Sequence, residues 1–190
     1  VAGLQVEENN IDQLQFQPNV RWLWHASEQT SVWASVARAV RTPSLEERDI
    51  VQRFDPGDEP FFVGNPDFEA ETLIAYEIGV RTTVAEDVSF DLTAFYNDYD
   101  DLQTFEDPDG LILTYGNEGR AIAQGVEAAI DFDVNERLRL RTSYTYFVMD
   151  FEASDTSLEV DTIDGVTATG TTEVRSVRRH AFTSGISRNA

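Results

Sequence analysis

The chain contains no cysteine among its 190 residues. This absence excludes a disulfide framework, a cysteine-ligated zinc site and a catalytic thiol. The sequence also lacks a Gly-x-Ser-x-Gly motif, a phosphate-binding loop and paired catalytic carboxylates. We therefore predict that the protein is not an enzyme, has no catalytic residues and carries no cofactor.

Basic residues are scarce. Lysine and arginine together number 14, against 35 aspartates and glutamates, which gives a formal net charge of −21. A surface this acidic repels the phosphate backbone of DNA and RNA. The composition therefore excludes nucleic acid as a partner.

Long apolar runs are also absent. No segment approaches the roughly 18 residues that a membrane-spanning helix requires. The first residues do not resemble a signal peptide, so we expect that a leader was removed or that the chain is a segment of a longer protein. The mean hydropathy of −0.34 is compatible with a membrane barrel, whose strands average a lipid-facing row and a wet row.

The dominant pattern in the sequence is alternation with a period of two. From Leu14 to His25 most even positions are apolar and most odd positions are polar. This run has about the length of a tilted membrane strand. The alternation returns at 72–81, 88–97, 122–133 and 137–148, more weakly at 30–40 and 179–188, and briefly near 111–115. The pattern predicts an all-β protein with about eight strands.

The connections between these strands alternate in length. Residues 26–29, 85–87 and 135–136 form short links, whereas 41–70, 98–111 and 152–177 are long and polar. Short turns on one side and long loops on the other are typical of outer-membrane barrels, whose long loops face outward. Strands of soluble sandwiches alternate too, but they are usually nearer five or six residues long. The pattern therefore predicts antiparallel transmembrane β-barrel strands.

Aromatic residues support this interpretation. We predict that Trp22, Trp24 and Trp33 flank a short turn near one membrane interface. Tyrosines farther along their strands are predicted near the opposite interface, namely Tyr96, Tyr144 and Tyr146. Amphipathic rings favour the headgroup layer, so two aromatic girdles are expected of a membrane barrel.

Several short motifs appear in a fixed order. They are Arg41-Thr-Pro-Ser44, Gly64-Asn-Pro66, Tyr76-Glu-Ile-Gly79, Phe95-Tyr96 with Tyr99 and Leu102, Asn117 with Gly119 and Ala121 followed by Gly125-Val-Glu127, and Ser143-Tyr-Thr-Tyr146. In this order they resemble the barrel strands of TonB-dependent outer-membrane receptors. Phe68 and Ala70 depart from the leucine and proline that are commoner in that family.

The resemblance implies a 22-stranded barrel filled by an N-terminal plug that contacts TonB. About eight strands and no plug are recognisable, so we interpret residues 1–190 as a partial barrel domain that lacks the plug and the barrel ends. The implied location is the outer membrane of a Gram-negative bacterium, with lipid around the barrel.

The implied function is active import of a scarce small-molecule nutrient, of the siderophore-iron, cobalamin or carbohydrate class. TonB would act through the absent plug. The alternatives are a soluble all-β surface or carbohydrate-binding module and, third, a passive porin.

Charged residues on the predicted strands are interpreted as structural. Glu127 and Asp131 would face the lumen opposite three arginines of the next strand, Arg137, Arg139 and Arg141, and we predict a ladder of ion pairs. Glu77 and Arg81 are interpreted in the same way. The segment 107–110 is interpreted as a turn rather than a calcium loop. His25 and His180 lie on separate strands, so no metal site is predicted.

The long loops carry most of the negative charge. Residues 41–70 have a net charge of −5, residues 98–118 of −7 and residues 152–177 of −5. This field disfavours an anionic ligand and suits a neutral or cationic one, unless the acids serve solubility or bridge lipopolysaccharide through divalent cations. Within 41–70 we predict ligand-binding roles for Arg41, Phe61 and Phe62, and the alternative for the phenylalanines is packing within the loop.

Overall fold

The computed structural model describes residues 1–9, 13–107, 110–135, 138–153, 157, 161–163, 166–168 and 175–188. These residues are almost entirely extended, and their only helix is short. In chain order the elements are β1 (Ala2–Asn9), β2 (Gln13–His25), β3 (Thr30–Arg41), α1 (Leu45–Asp49), β4 (Val51–Gln52), β5 (Phe62–Val63), β6 (Glu71–Ala85), β7 (Val88–Glu106), β8 (Leu113–Asn135), β9 (Leu138–Glu152), β10 (Asp161–Ile163), β11 (Val166–Ala168) and β12 (Arg175–Arg188). In the described part of the chain, no helix has the length and apolar character needed to cross a membrane.

Eight long strands form an antiparallel meander in the order β1-β2-β3-β6-β7-β8-β9-β12. Four short strands of the described residues lie outside this meander. Strand β5 pairs in parallel with the beginning of β8, and β4 pairs with β5. Strands β10 and β11 form a separate small hairpin. The prediction of antiparallel, long-stranded all-β structure is confirmed.

Three details of the sequence prediction were wrong. Strand β1 was missed, and the short strand expected near 111–115 is part of the continuous β8. Residues 98–111 were predicted to be a loop, yet β7 continues to Glu106 and β8 already begins at Leu113. Polar residues can extend a hairpin because its backbone groups pair with each other whatever the side chains are.

The short links 26–29 and 85–87 do join neighbouring strands. Residue 136 of the link predicted at 135–136 and the adjacent Arg137 lie outside the described residues. The same is true of part of the turn predicted at 107–110 and of much of the loop predicted at 152–177.

The register places the alternating residues of all these strands on common faces. Two residues directly opposite each other on neighbouring strands point to the same face of a sheet. Even positions pair with even positions along the central strands, except at the irregularities near the strand ends. Val36 therefore lies beside Tyr76, and Leu92 lies beside Ala128. The sheet has one apolar face, formed by the even positions, and one polar face, formed by the odd positions.

The apolar face is exposed rather than covered by other parts of the chain. Trp22 and Trp24 are each 54% exposed and Ile78 is 56% exposed. The apolar residues that are buried among the described ones are few, namely Phe68, Ala70, Ala121 and Ala123. An apolar surface this wide is unfavourable in water and suits contact with lipid.

Charged residues end the apolar face at the side of the long connections. Charged residues at even positions near this side are Arg38 of β3, Asp98 of β7, Arg120 of β8 and Asp150 of β9. We call the apolar surface below them the apolar band. Asp98 is directly opposite Ile74 and Ile122, so charged and apolar residues alternate across the strands at this boundary.

The aromatic prediction holds in part. Trp22 and Trp24 lie on the apolar face beside the turn 26–29, with ring centroids 6.3 Å apart. Trp33, however, occupies the polar face, where it packs against Gly79. Tyr96 lies next to the charged boundary, whereas Tyr144 is opposite Ala128 and is therefore midway along its strand rather than near an interface.

The polar face carries the predicted ladder of ion pairs. Arg81 pairs with Asp91 at 2.7 Å, and Arg141 pairs with Asp131 at 2.9 Å. Arg139 pairs with Asp133 at 2.5 Å. Two glutamates of the prediction have other neighbours: Glu77 accepts a hydrogen bond from Ser35, and Glu127 lies opposite Thr93 and Thr145.

Candidate functional site

Beyond the charged boundary, β7 and β8 continue as a two-stranded extension. We call residues 99–106 and 113–120 the outer ribbon. It begins at an irregularity in the pairing between Tyr99 and Leu102, where Asp101 adopts a left-handed conformation with φ of 58°. A bulge of this kind bends the strand, so the ribbon can take a different direction from the band below it.

The connection 42–70 folds back onto the outer ribbon. Its first element, α1, begins after Ser44, whose hydroxyl accepts a hydrogen bond from the Glu47 amide, while the Glu47 carboxylate accepts one from the Ser44 amide. This reciprocal capping box satisfies two amide donors at the start of the helix. The Ser-x-x-Glu spacing that encodes it is visible in the sequence.

Arg41 joins this loop to two strands. Its guanidinium lies 2.7 Å from Glu47 and 2.7 Å from Glu71, and it also donates to Gln103 at 3.3 Å. Glu47 is buried and Glu71 is largely so. The predicted contact of Arg41 with ligand stays a prediction. In the structure its guanidinium donates to Glu47, Glu71 and Gln103, so Arg41 anchors the loop.

The pKa values of these groups reflect the same contacts. Burial alone would raise the pKa of Glu47, but hydrogen bonds from Ser44 and Arg41 outweigh it and hold that pKa below its usual value. The hydrogen bond to Glu71 is the main cause of the raised pKa of Arg41. Because the pKa of Glu47 is lower in the folded protein, its contribution to stability is present above the unfolded value and is lost as pH falls through the folded value.

We expect the Arg41→Ala variant to release α1 from the strands, because Glu47 would remain buried without its cation. Since Arg41 is itself nearly half exposed, we expect local destabilisation of only about 2 kcal/mol. Hydrogen exchange of the 45–50 amides in the assembled receptor measures it. The control is Arg53→Ala, which removes only an exposed bond to the Asp58 carbonyl. Equal exchange in both variants would contradict the anchoring role.

A second set of contacts holds the returning part of the loop. Gly64 donates to the carbonyl of Ile50 at 2.7 Å, and a Cβ on Gly64 would lie 2.5 Å from the backbone of Arg48, so only glycine fits. Asn65 donates to the carbonyl of Tyr115 at 3.0 Å. Asn117 exchanges two hydrogen bonds with the backbone of Glu69. Motifs distant in sequence thus meet here and stabilise the loop.

The two adjacent phenylalanines of the loop have different neighbours. Phe62 packs edge-on against Tyr115, with ring centroids 4.9 Å apart, and lies 6.1 Å from Phe105. Phe61 instead stacks on Phe54 at 4.5 Å. Phe54 is 82% exposed. Phe62 therefore packs against the outer ribbon, whereas the half-buried Phe61 stacks on the exposed ring of Phe54.

Sequence reasoning missed Phe54 because it is seven positions from Phe61. The pairing of β4 with β5 brings the two together, with the Phe61 amide donating to the Gln52 carbonyl at 3.0 Å. Between them Asp55-Pro-Gly-Asp58 closes a turn in which Gly57 has a φ of 105°. Proline followed by a glycine with positive φ is a turn signal that could have indicated this hairpin.

Comparisons with known proteins agree with this architecture. The family model described as TonB dependent receptor-like, beta-barrel matches residues 1–188. The iron-regulated outer membrane virulence protein of Vibrio cholerae is 30% identical over 145 residues, which cover 69% of this chain. The chain spans only 22% of the length of that relative.

Solved structures share the fold. The siderophore receptor PirA of Pseudomonas aeruginosa superposes with a TM-score of 0.62 at 24% identity, over 80% of this chain and 30% of that one. The ferric enterobactin receptor PfeA of the same organism, in complex with enterobactin, gives a TM-score of 0.65 at 16% identity, over 97% of this chain and 34% of that one. The long antiparallel strands, the apolar band and the family match make this chain part of the outer-membrane β-barrel of the TonB-dependent receptor family.

Proposed function

We propose that the protein takes part in importing a ferric siderophore across the outer membrane, with coupling to TonB through a plug domain. The similarity to an iron-regulated outer membrane protein over 145 residues carries this proposal. The fold shared with siderophore receptors supports it. The apolar band would contact lipid, and the loop 42–70 would contribute to ligand capture.

Uptake of radioactive iron tests the proposal. The receptor containing this chain is expressed in iron-starved cells that lack their own siderophore receptors, and iron-loaded enterobactin is supplied as the first of a panel of siderophores. We expect TonB-dependent accumulation of iron with at least one siderophore. Uptake of labelled cobalamin or maltodextrin instead, with no iron uptake from the panel, would refute the siderophore class.

The stacked pair of the exposed Phe54 and the half-buried Phe61 is the best candidate for ligand contact in the described loop. Two stacked rings on a loop anchored by Arg41 offer a rigid apolar surface, and aromatic residues contribute strongly to recognition. Phe62 does not share this position, because its ring packs against Tyr115.

We expect the double substitution of Phe54 and Phe61 by alanine to weaken siderophore binding about tenfold while leaving barrel assembly unchanged. The matched comparison is Phe62→Ala, which should disturb the loop structure instead. Equilibrium binding and heat-modifiable migration on gels separate the two effects. Unaltered affinity in the double variant would remove the aromatic pair from the binding surface.

A further inference from the structure

A cavity of about 560 Å³ lies between the returning loop and the outer ribbon. Its wall includes the five carboxylates of Asp67, Glu69, Asp101, Glu106 and Glu118, and no basic side chain. Cavities that hold small molecules have volumes in this range. The wall therefore combines the size of a ligand site with an unusual excess of negative charge.

The carboxylate of Glu106 is only partly satisfied by the described residues. Its side chain is buried to about nine-tenths. One carboxylate oxygen, Oε1, accepts hydrogen bonds from the Thr104 hydroxyl at 2.6 Å and from the Ser157 hydroxyl. The other, Oε2, is buried and has no hydrogen-bond donor in the described part of the chain. Buried carboxylate oxygens normally have a donor or a cation as partner.

The amides in the same wall are already used. The Asn65 side chain donates to the Tyr115 carbonyl and accepts from the Asp67 amide. The Asn117 side chain donates to the carbonyls of Glu69 and Asp101. These contacts fix the shape of the cavity and leave neither amide nitrogen as a donor to the carboxylates of the wall.

Asp101 adds a further sign of crowded negative charge. Burial raises the pKa of its carboxyl, and the nearby charges of Asp100 and Glu69 raise that pKa further. Its backbone has a φ of 58°, a conformation that aspartate tolerates better than most residues but still at some cost. A cation in the cavity would relieve the repulsion between these carboxylates.

The arrangement fits an organic cation better than a metal ion. Within the described residues, no group of three or more acids or histidines could hold a metal ion. The cavity also far exceeds the space that one ion fills. An ammonium or guanidinium group donates several hydrogen bonds and can satisfy carboxylates that lie apart.

We propose that this cavity binds an organic cation, an ammonium or guanidinium group carried by the ligand, through Asp101, Glu106 and Glu118. The inference rests on the proposed function, because it assigns the cavity to the ligand that the loops capture. The inference also explains how loops with a strong negative charge could take part in binding a siderophore. They would contact the positively charged part of the siderophore rather than its anionic groups.

Calorimetric titration of the purified receptor with spermidine, a metal-free ammonium probe, tests the inference. We expect saturable binding that weakens about tenfold or more in Glu106→Gln and in Asp101→Asn, because each removes a charge from a desolvated site. Glu118→Gln lies at an exposed position and provides a variant that folds if the buried ones do not. The control is Glu59→Gln, which removes the same charge from an exposed position of the loop outside the cavity.

If Glu59→Gln weakened spermidine binding as much as the cavity variants do, the inference would be overturned. The effect would then come from the overall charge of the loop. Displacement of spermidine by stoichiometric calcium would overturn it in favour of a metal site. If the receptor did not bind spermidine but still imported iron, this inference alone would be refuted. Absent iron uptake with intact spermidine binding would refute the proposed function alone.

Discussion

The Ala128→Arg variant is expected to lose about 2–4 kcal/mol of barrel stability, as is typical of a charged side chain placed on the lipid face near the bilayer midplane. Ala128 lies on the apolar face of β8, directly opposite Leu92 and Tyr144. The guanidinium would have to leave the hydrocarbon or draw water into it, and both are unfavourable. Urea unfolding of the receptor in liposomes measures the difference.

The matched variant is Ala129→Arg, one residue along the same strand but on the polar face. Its neighbours across the strands are Asp91 and Ser143, so an added arginine would meet polar groups and water. We expect it to be much less destabilising. Equal destabilisation by the two variants would mean that the apolar face does not contact lipid.

The second large effect is expected at Gly125. This residue lies on the polar face of β8 between Phe95 and Phe147 on the adjoining strands. A Cβ at this position would contact the carbonyl oxygen of Tyr146 and would lie 2.7 Å from the Cβ of Phe147. Backbone atoms cannot move aside as a flexible side chain can, so Gly125→Val should cost about 3 kcal/mol.

Ala129→Val serves as the control, because Ala129 has the same strand and face and already accommodates a Cβ. The same urea unfolding experiment compares the two variants, and the yield of heat-modifiable folded barrel gives a second measurement. If Gly125→Val were as stable as Ala129→Val, the close approach of β8 and β9 at this position would be wrong.

Much of the barrel could be predicted because alternation is a local property. A strand places successive side chains on opposite faces whatever it pairs with, so the apolar rows of β2 or β8 are visible before any partner is known. The limits of strands were harder to predict. The extension of β7 to Glu106 depends on backbone pairing with β8, and the polar side chains of that segment gave no sign of it.

The candidate site was predictable only at the level of the loop. Ligand contacts of Arg41 and Phe62 stay predictions. The structure adds what the sequence did not indicate, namely that Arg41 binds Glu47 and Glu71 and that Phe62 packs on Tyr115. Glu106 had no distinguishing signal, and Phe54 was marked only by the Pro56-Gly57 turn signal that follows it. Their roles arise from neighbours such as Phe61 and Ser157, which other parts of the chain bring to them.

The sequence by itself determined that this protein has long alternating strands, short turns on one side and acidic loops on the other, and its motifs indicated the receptor family. Only the tertiary structure decided which loop residues anchor and which remain exposed. Alternation depends on neighbours two positions apart, whereas contacts such as Asn65 with Tyr115 join residues 50 positions apart. Such contacts exist only after the strands have paired in register, because register sets which distant residues become neighbours.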